Sequence, residues 1–205
     1  MTIKMTTFVL ALFLATGAAL GQGSTFQGDG GLQKATFAGG CFWCMEPPFD
    51  ELAGVASTTS GYIGGYAEDP SYQEVSAGGT GHAEAVEVLY DPSTISYRQL
   101  LEVFWRNIDP VTHNRQFCDS GSQYRSGIFY HDAEQARLAS ETKETLARSG
   151  SFSDSIATEI TEATTFYPAE EYHQDYYLKN PLRYRFYSYQ CGRKKRLEQL
   201  WGGTH

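Results

Sequence analysis

Apolar and polar residues are arranged with two different periods along this chain. Short runs that alternate between apolar and polar residues, or that are mainly apolar, predict β-strands, at 34–38, 55–61, 83–90, 124–130 and 156–162. Apolar residues three or four positions apart, as at Leu100, Leu101 and Phe104, predict helices, at 43–52, 96–107, 132–149, 169–178 and 194–201. Because strands and helices alternate without a repeat or an internal linker, we predict one domain, with a mixed sheet covered by helices. Long loops are expected at 62–81 and 109–122.

The N-terminal residues predict a targeting segment rather than part of the fold. Lys4 precedes an apolar run that is short for a membrane span, and small residues follow this run as in a cleavage site. We therefore expect a secretory signal peptide at 1–21, a flexible linker at 22–31 and a single catalytic domain at 32–205. An uncleaved membrane anchor is the alternative. No later segment is long and apolar enough to span a membrane, so we expect an exported protein, periplasmic or secreted.

Composition and charge narrow the class of partner. The chain has 205 residues, a formal net charge of −8, and 14 tyrosines, 12 phenylalanines and 21 glycines. An acidic chain argues against nucleic acid as a partner, and the aromatic and glycine content indicates a compact, loop-rich domain. The short basic run at 193–196 is interpreted as the solvent-exposed face of a last helix. We expect a monomer.

The segment around the first two cysteines is the strongest candidate for chemistry. Cys41 and Cys44 have C-x-x-C spacing, two glycines precede them, and Phe42 and Trp43 lie between them. A thiol at the start of a helix has a lowered pKa and is a better nucleophile. We therefore expect Cys41 to rest as a thiolate beneath an aromatic lid, which indicates a substrate with an apolar end.

Several polar residues are candidates for binding or acid catalysis. Glu84 lies at the start of a strand whose other residues are predicted to be buried. A carboxyl in an apolar setting has a raised pKa, which suits a general acid. An exposed edge glutamate is the alternative. Tyr72, Asp119 and Tyr124 have hydrogen-bonding groups that suit a ligand, although purely structural roles are the alternative for each.

The chain from 34 to about 179 resembles the peptide methionine sulfoxide reductases of the A type. The resemblance rests on many segments in the same order: 40–43, 60–66, 70–75, 80–86, 90–92, 104–105, Asp119, 123–126 and 172–174. It implies an α+β fold with a ferredoxin-like core, a mixed sheet covered by helices and long loops. It also implies reduction of the S epimer of methionine sulfoxide, free or in peptides and proteins, with no cofactor and no metal.

The resemblance also implies residue roles. Cys41 would attack the sulfoxide and become a sulfenic acid, and Phe42 and Trp43 would hold the S-methyl group. Glu84 would protonate the sulfoxide oxygen, with hydrogen bonds from Tyr72 and Tyr124. Asp119 would complete the polar side of the pocket. A second thiol would then form a disulfide with Cys41, and a thioredoxin-like dithiol protein would reduce it.

The identity of the resolving thiol stays open. Many relatives have glycine in place of Cys44 and carry recycling cysteines on a glycine-rich C-terminal tail, which is not recognisable here. Cys44 is nearest to Cys41 in sequence. Cys191 is an alternative if the C-terminal segment folds back, and so is Cys118. The alternative predictions for Cys118 are a buried thiol or one half of a structural Cys118–Cys191 disulfide.

Two other classes of protein remain as alternatives. One is an exported C-x-x-C thiol–disulfide oxidoreductase, although the context of a thioredoxin-like domain is missing. The other is a metal-binding module that uses Cys41, Cys44 and a histidine such as His82 or His113, although the paired spacing of a zinc site is missing. Covalent haem attachment in its usual form is excluded because Met45, and not histidine, follows the second cysteine.

Overall fold

The computed structural model describes residues 31–202. The predicted signal peptide and nearly all of the predicted linker lie outside the described residues. Within 31–202, no helix has both the length and the apolar character that a membrane span requires.

The described chain contains eight β-strands and seven α-helices. The strands are β1 (Gln33–Gly39), β2 (Val55–Ile63), β3 (Ala83–Tyr90), β4 (Arg115–Gln116), β5 (Asp119–Ser120), β6 (Ser126–Tyr130), β7 (Glu159–Glu162) and β8 (Tyr167–Pro168). The helices are α1 (Glu46–Asp50), α2 (Tyr72–Ala77), α3 (Tyr97–Arg106), α4 (Ala133–Arg148), α5 (Tyr176–Lys179), α6 (Pro181–Gln190) and α7 (Arg193–Trp201).

Six strands form one mixed sheet in the order β7-β6-β1-β3-β2-β8. The four central strands are mutually antiparallel, whereas β7 pairs parallel to β6. Together with the chain order β1-α1-β2-β3-α3-β6, this strand order is the ferredoxin-like α+β arrangement. The predicted fold class is therefore confirmed.

Aromatic packing fixes the helices on the sheet. The Phe37 ring of β1 stacks on Phe49 of α1, with 5.2 Å between ring centroids, and on Phe104 of α3 at 5.1 Å. All three side chains are fully buried, and each contributes roughly 1.5–3 kcal/mol relative to an exposed side chain. Since the segment with the first two cysteines connects β1 to α1, this cluster also fixes that segment.

Two helices, α2 and α6, were absent from the sequence prediction, and the predicted helix at 169–178 is shortened to α5. The predicted loop at 62–81 contains α2, whose start has a capping box in which Ser71 and Glu74 each accept a hydrogen bond from the other's backbone N–H. Helix α6 was not predicted, because its apolar residues do not gather on one buried face: Leu182, Phe186 and Tyr189 are all exposed.

The basic run at 193–196 is also corrected. Lys194 and Lys195 are exposed on α7, as expected. Arg193 is buried, however, and Arg196 Nε lies 2.7 Å from Asp109 Oδ2, so half of the run faces the protein.

Candidate active site

A glycine turn at the end of β1 places Cys41. Gly40 has φ +83°, a conformation that favours glycine. A Cβ atom at this position would lie 2.5 Å from Cβ of Gln116, so any side chain here would displace the neighbouring loop. A single 3₁₀ turn, Phe42–Cys44, follows, and the Cys44 N–H donates to the Cys41 carbonyl at 3.0 Å. Helix α1 begins only at Glu46, later than the predicted helix at 43–52.

The expectation that Cys41 rests as a thiolate is wrong for this structure. Cys41 is only 8% exposed. Burial raises the pKa of its thiol well above the ordinary value, and the neighbouring acidic groups Cys44 and Glu84 act in the same direction. A short 3₁₀ turn does not offset this desolvation, so Cys41 is a neutral thiol at neutral pH.

The pKa of the second cysteine, Cys44, is shifted in the opposite direction. Cys41 and Cys44 are both free thiols, and both are buried. The hydrogen bond from Cys41 lowers the pKa of the Cys44 thiol; burial opposes this shift, and the positive charge of Arg193 adds to it. The two sulfurs are therefore neighbours, and Cys44 is the one that ionises more readily.

Glu84 lies at the centre of the sheet, on β3 between β1 and β2, so it is not an edge glutamate. It is 1% exposed, and Phe42 N–H donates to its Oε2 at 3.2 Å. Burial raises the pKa of this carboxyl to about 8, although the hydrogen bond from Phe42 opposes the shift. Glu84 therefore holds a proton at neutral pH.

One cavity of about 70 Å³ brings every predicted catalytic and substrate-binding residue together. It is lined by Cys41, Phe42, Trp43, Tyr72, Glu84, Asp119, Tyr124 and Tyr187. Burial raises the pKa of Tyr72 to about 12 and raises that of Tyr124 as well, so both hydroxyls keep their protons. Burial also raises the pKa of the Asp119 carboxyl. The cavity thus has an apolar wall and a side rich in hydrogen-bond donors.

The apolar wall is held rigidly. Trp43 Nε1 donates to His173 Nδ1 at 3.0 Å, and the Trp43 ring stacks on Tyr176 with centroids 3.8 Å apart. Burial lowers the pKa of His173, so this imidazole is neutral and accepts at Nδ1. The His173 ring also contacts Phe42 and Tyr72. His173 lies in one of the segments that carry the family resemblance, but no role was predicted for it.

Tyr187 also lines the cavity, although no role was predicted for it from the sequence. It lies on α6, which folds back over the site, and its hydroxyl donates to Asp119 Oδ2 at 2.5 Å. The same hydroxyl lies beside the Cys41 sulfur. The one available signal was Tyr184 and Tyr187 at helical spacing just before Cys191, a pattern that most aromatic-rich helices share.

The other two cysteines form a disulfide, Cys118–Cys191. The C-terminal segment does fold back, as the Cys191 alternative required, but it brings Cys191 to Cys118 rather than to Cys41. The bond joins the end of α6 to the residue before Asp119, and Cys118 is exposed. Within residues 31–202, Cys41 and Cys44 belong to no group of three side chains that could hold a metal ion, so the geometry does not support the zinc-module alternative.

The fold and the site together define a class of protein. They indicate a cysteine-based redox enzyme that acts on a small chemical group of its substrate. The parts of such an enzyme present here are a buried thiol beside a second free thiol, a protonated carboxyl and an aromatic wall.

Comparison with known proteins gives the family. The family model described as "Peptide methionine sulfoxide reductase" matches residues 33–205, and the chain belongs to this family. Peptide methionine sulfoxide reductase MsrA of Bacillus licheniformis is 53% identical over 173 residues, which are 84% of this chain and 96% of that protein.

Solved structures agree with this assignment. The reduced form of Mxr1 from Saccharomyces cerevisiae is 36% identical, with a TM-score of 0.69 over 73% of this chain and 86% of that one. Mxr1 in complex with Trx2 is 27% identical, with a TM-score of 0.52 over 75% of this chain and 91% of that one.

Proposed function

We propose that this protein reduces methionine sulfoxide, free or in peptides and proteins, to methionine, with Cys41 as the nucleophile. The observation that carries this function is that Cys41, Glu84 and the aromatic wall line the same small cavity. Family membership supports the substrate, and the MsrA relatives support the S epimer, since the A and B enzymes each take one sulfoxide epimer. We propose that the enzyme acts as a monomer.

The first step transfers the sulfoxide oxygen to Cys41. Phe42 and Trp43 hold the S-methyl group, while Tyr72, Tyr124 and the protonated Glu84 donate hydrogen bonds to the oxygen. The Cys41 sulfur attacks the sulfoxide group and the S–O bond of the substrate breaks. The products are methionine and Cys41 sulfenic acid. Cys41 loses one proton and the oxygen gains one, so the step needs no net proton, and Glu84 is placed to exchange both.

Cys44 resolves the sulfenic acid in the second step. Its sulfur bonds to the Cys41 sulfur, and the hydroxyl of the sulfenic acid leaves as water. Cys44 is the free thiol that lies against Cys41, whereas Cys118 and Cys191 are bonded to each other. Cys44 therefore needs no rearrangement of the chain to react.

A thioredoxin-like dithiol protein completes the cycle by thiol–disulfide exchange. The complex of Mxr1 with Trx2 supports this class of reductant. Cys41 and Cys44 are both buried, whereas Cys118 is exposed and a cavity of about 330 Å³ borders Cys191. The Cys118–Cys191 disulfide is thus the accessible one for an external dithiol, and we propose that it takes part in the exchange.

One experiment tests the chemistry and the resolving cysteine together. The purified protein receives one equivalent of methionine sulfoxide without reductant, and released methionine and disulfides are mapped by mass spectrometry. We expect one methionine per chain and a Cys41–Cys44 disulfide. Cys44→Ser should still release one methionine but should leave Cys41 as a trappable sulfenic acid.

Two results would contradict these assignments. A peptide that links Cys41 to Cys118 or to Cys191 in the unsubstituted protein would remove Cys44 as the resolving residue. Reduction of insulin disulfides without release of methionine would instead support the C-x-x-C thiol–disulfide oxidoreductase.

We also propose that the protein is exported, to the periplasm or out of the cell, after removal of residues 1–21. The apolar run behind Lys4 and the small residues at its end support this proposal. The intact mass of the protein from the native host should correspond to a chain that begins at Gln22. A mass that retains the first 21 residues would favour the membrane anchor.

A further inference from the structure

Arg193 is a buried cation whose contacts are all neutral. It is the first residue of α7, two positions after Cys191, and is 7% exposed. Its Nη2 donates to the Asn107 carbonyl at 2.5 Å and lies 3.1 Å from the Met45 sulfur. Its guanidinium carbon lies 4.5 Å from the centre of the Phe117 ring. These contacts hold the side chain in place but do not balance its charge.

The ion pairs of the described chain leave this charge unbalanced. Arg196, one turn further along α7, forms a salt bridge with Asp109. Arg193 forms none with any carboxylate among residues 31–202. A guanidinium stays protonated in proteins, and burying a charge without an opposite charge is costly. A group that becomes anionic close to Arg193 would remove that cost.

Cys44 is the group that fits this description. It directly precedes Met45, which Arg193 contacts, and it is a free thiol that is 4% exposed. Arg193 also acts on Asp119, where it lowers the pKa of the carboxyl against the raising effect of burial, but no salt bridge joins the two residues, and Asp119 already accepts a hydrogen bond from Tyr187.

We propose that Arg193 is the positioning residue that balances the charge of a Cys44 thiolate and so prepares Cys44 to attack the Cys41 sulfenic acid. This inference rests on the proposed function, in which Cys44 resolves. In the step, the Cys44–Cys41 sulfur bond forms and the S–O bond of Cys41 breaks. The leaving hydroxide takes the Glu84 proton and becomes water. Both sulfurs end in the disulfide, and Arg193 stays charged throughout.

The other groups that face Cys44 come from four elements. Cys41, in the same turn, and Tyr184, on α6, donate hydrogen bonds to its sulfur and favour the thiolate. Asp119, on β5, opposes the thiolate. Glu84, on β3, also interacts with Cys44 but is protonated below about pH 8. Arg193 contributes the positive charge in this set.

The direct test is a titration of Cys44 alone. In a Cys41→Ser background, with the other two cysteines kept as their disulfide, the ultraviolet absorbance of the thiolate and the rate of alkylation by iodoacetamide are followed against pH. We expect the Cys44 pKa to lie below that of an ordinary thiol and to rise by about one unit in Arg193→Gln, with about tenfold slower alkylation at neutral pH. Arg193→Lys should retain most of the effect. Arg196→Gln, on the same helix, should leave the titration unchanged.

A single-turnover experiment adds the kinetic result. With Cys41 intact, Arg193→Gln should slow formation of the Cys41–Cys44 disulfide about tenfold at neutral pH, recover at higher pH, and release methionine at the unsubstituted rate. A purely structural arginine would lower the thermal unfolding temperature without moving either pH profile.

Separate outcomes distinguish this inference from the proposed function. An unchanged Cys44 titration in Arg193→Gln overturns the inference. If that variant does not fold, a Cys44 pKa at or above that of an ordinary thiol in the Cys41→Ser protein overturns it instead. Absence of a Cys41–Cys44 disulfide in the unsubstituted chain removes Cys44 as the resolving residue. In that case the titration still tests whether Arg193 balances the charge of the Cys44 thiolate.

Discussion

Replacing Cys41 with serine is expected to abolish the reduction of methionine sulfoxide by dithiothreitol. Enzymes accelerate their reactions by roughly 10⁶-fold or more, and Cys41 supplies the sulfur that receives the oxygen. We therefore expect methionine release to fall at least about a thousandfold, to the background without enzyme. The hydroxyl of serine does not form an analogue of the sulfenic acid, so no pH or reductant concentration should restore activity. Chromatographic measurement of methionine tests this prediction.

The matched control is Cys44→Ser, three residues away in the same buried turn. Both changes replace a buried sulfur by oxygen, so both should have similar effects on thermal unfolding. Without reductant, only Cys44→Ser should still release one methionine per chain. Normal multiple turnover by a folded Cys41→Ser protein would disprove the assignment of the nucleophile.

Replacing Glu84 with glutamine is expected to slow the chemical step by about 10²-fold or more, the usual contribution of a general acid. The amide donates a hydrogen bond to the sulfoxide oxygen but has no proton to give. Because the pKa of Glu84 is raised to about 8, the acid form predominates below that pH and is lost above it. The single-turnover rate of methionine release should therefore fall as the pH rises through about 8. That fall should be absent in Glu84→Gln.

Glu87→Gln is a suitable control, since Glu87 lies on the same strand and forms an ion pair with Lys34 near the surface. It should leave both the rate and the pH profile unchanged. Cys41 does not produce the same profile: its pKa is also raised, and its ionisation would increase the rate with pH. A Glu84→Gln variant as fast as the unsubstituted protein, or one that keeps the same fall in rate through about pH 8, would remove Glu84 as the acid.

The parts of the site that could be predicted lie on regular elements with strong local signals. The position of Glu84 followed from the apolar pattern of its strand, and burial in the sheet gave the expected direction of its pKa shift. Two glycines precede Cys41 in the sequence, and Gly40 has a left-handed conformation against Gln116.

The parts that could not be predicted depend on long-range packing. Tyr187 and Arg193 reach the site only because α6 and α7 fold back over it, and no local pattern gives that path. The prediction for Cys41 failed for a related reason. It considered the favourable helix start but not the desolvation produced by the rings and the C-terminal helix around the thiol.

The size of the cavity has a consequence for which proteins the enzyme repairs. About 70 Å³ between Trp43 and Tyr187 accommodates the oxidised tip of a methionine side chain, but no stretch of polypeptide. A methionine sulfoxide inside a well-packed domain cannot enter the cavity until that domain partly unfolds. Unfolded, nascent and flexible chains should therefore be repaired first. The folding state of a substrate protein, more than its sequence, should determine its rate of repair.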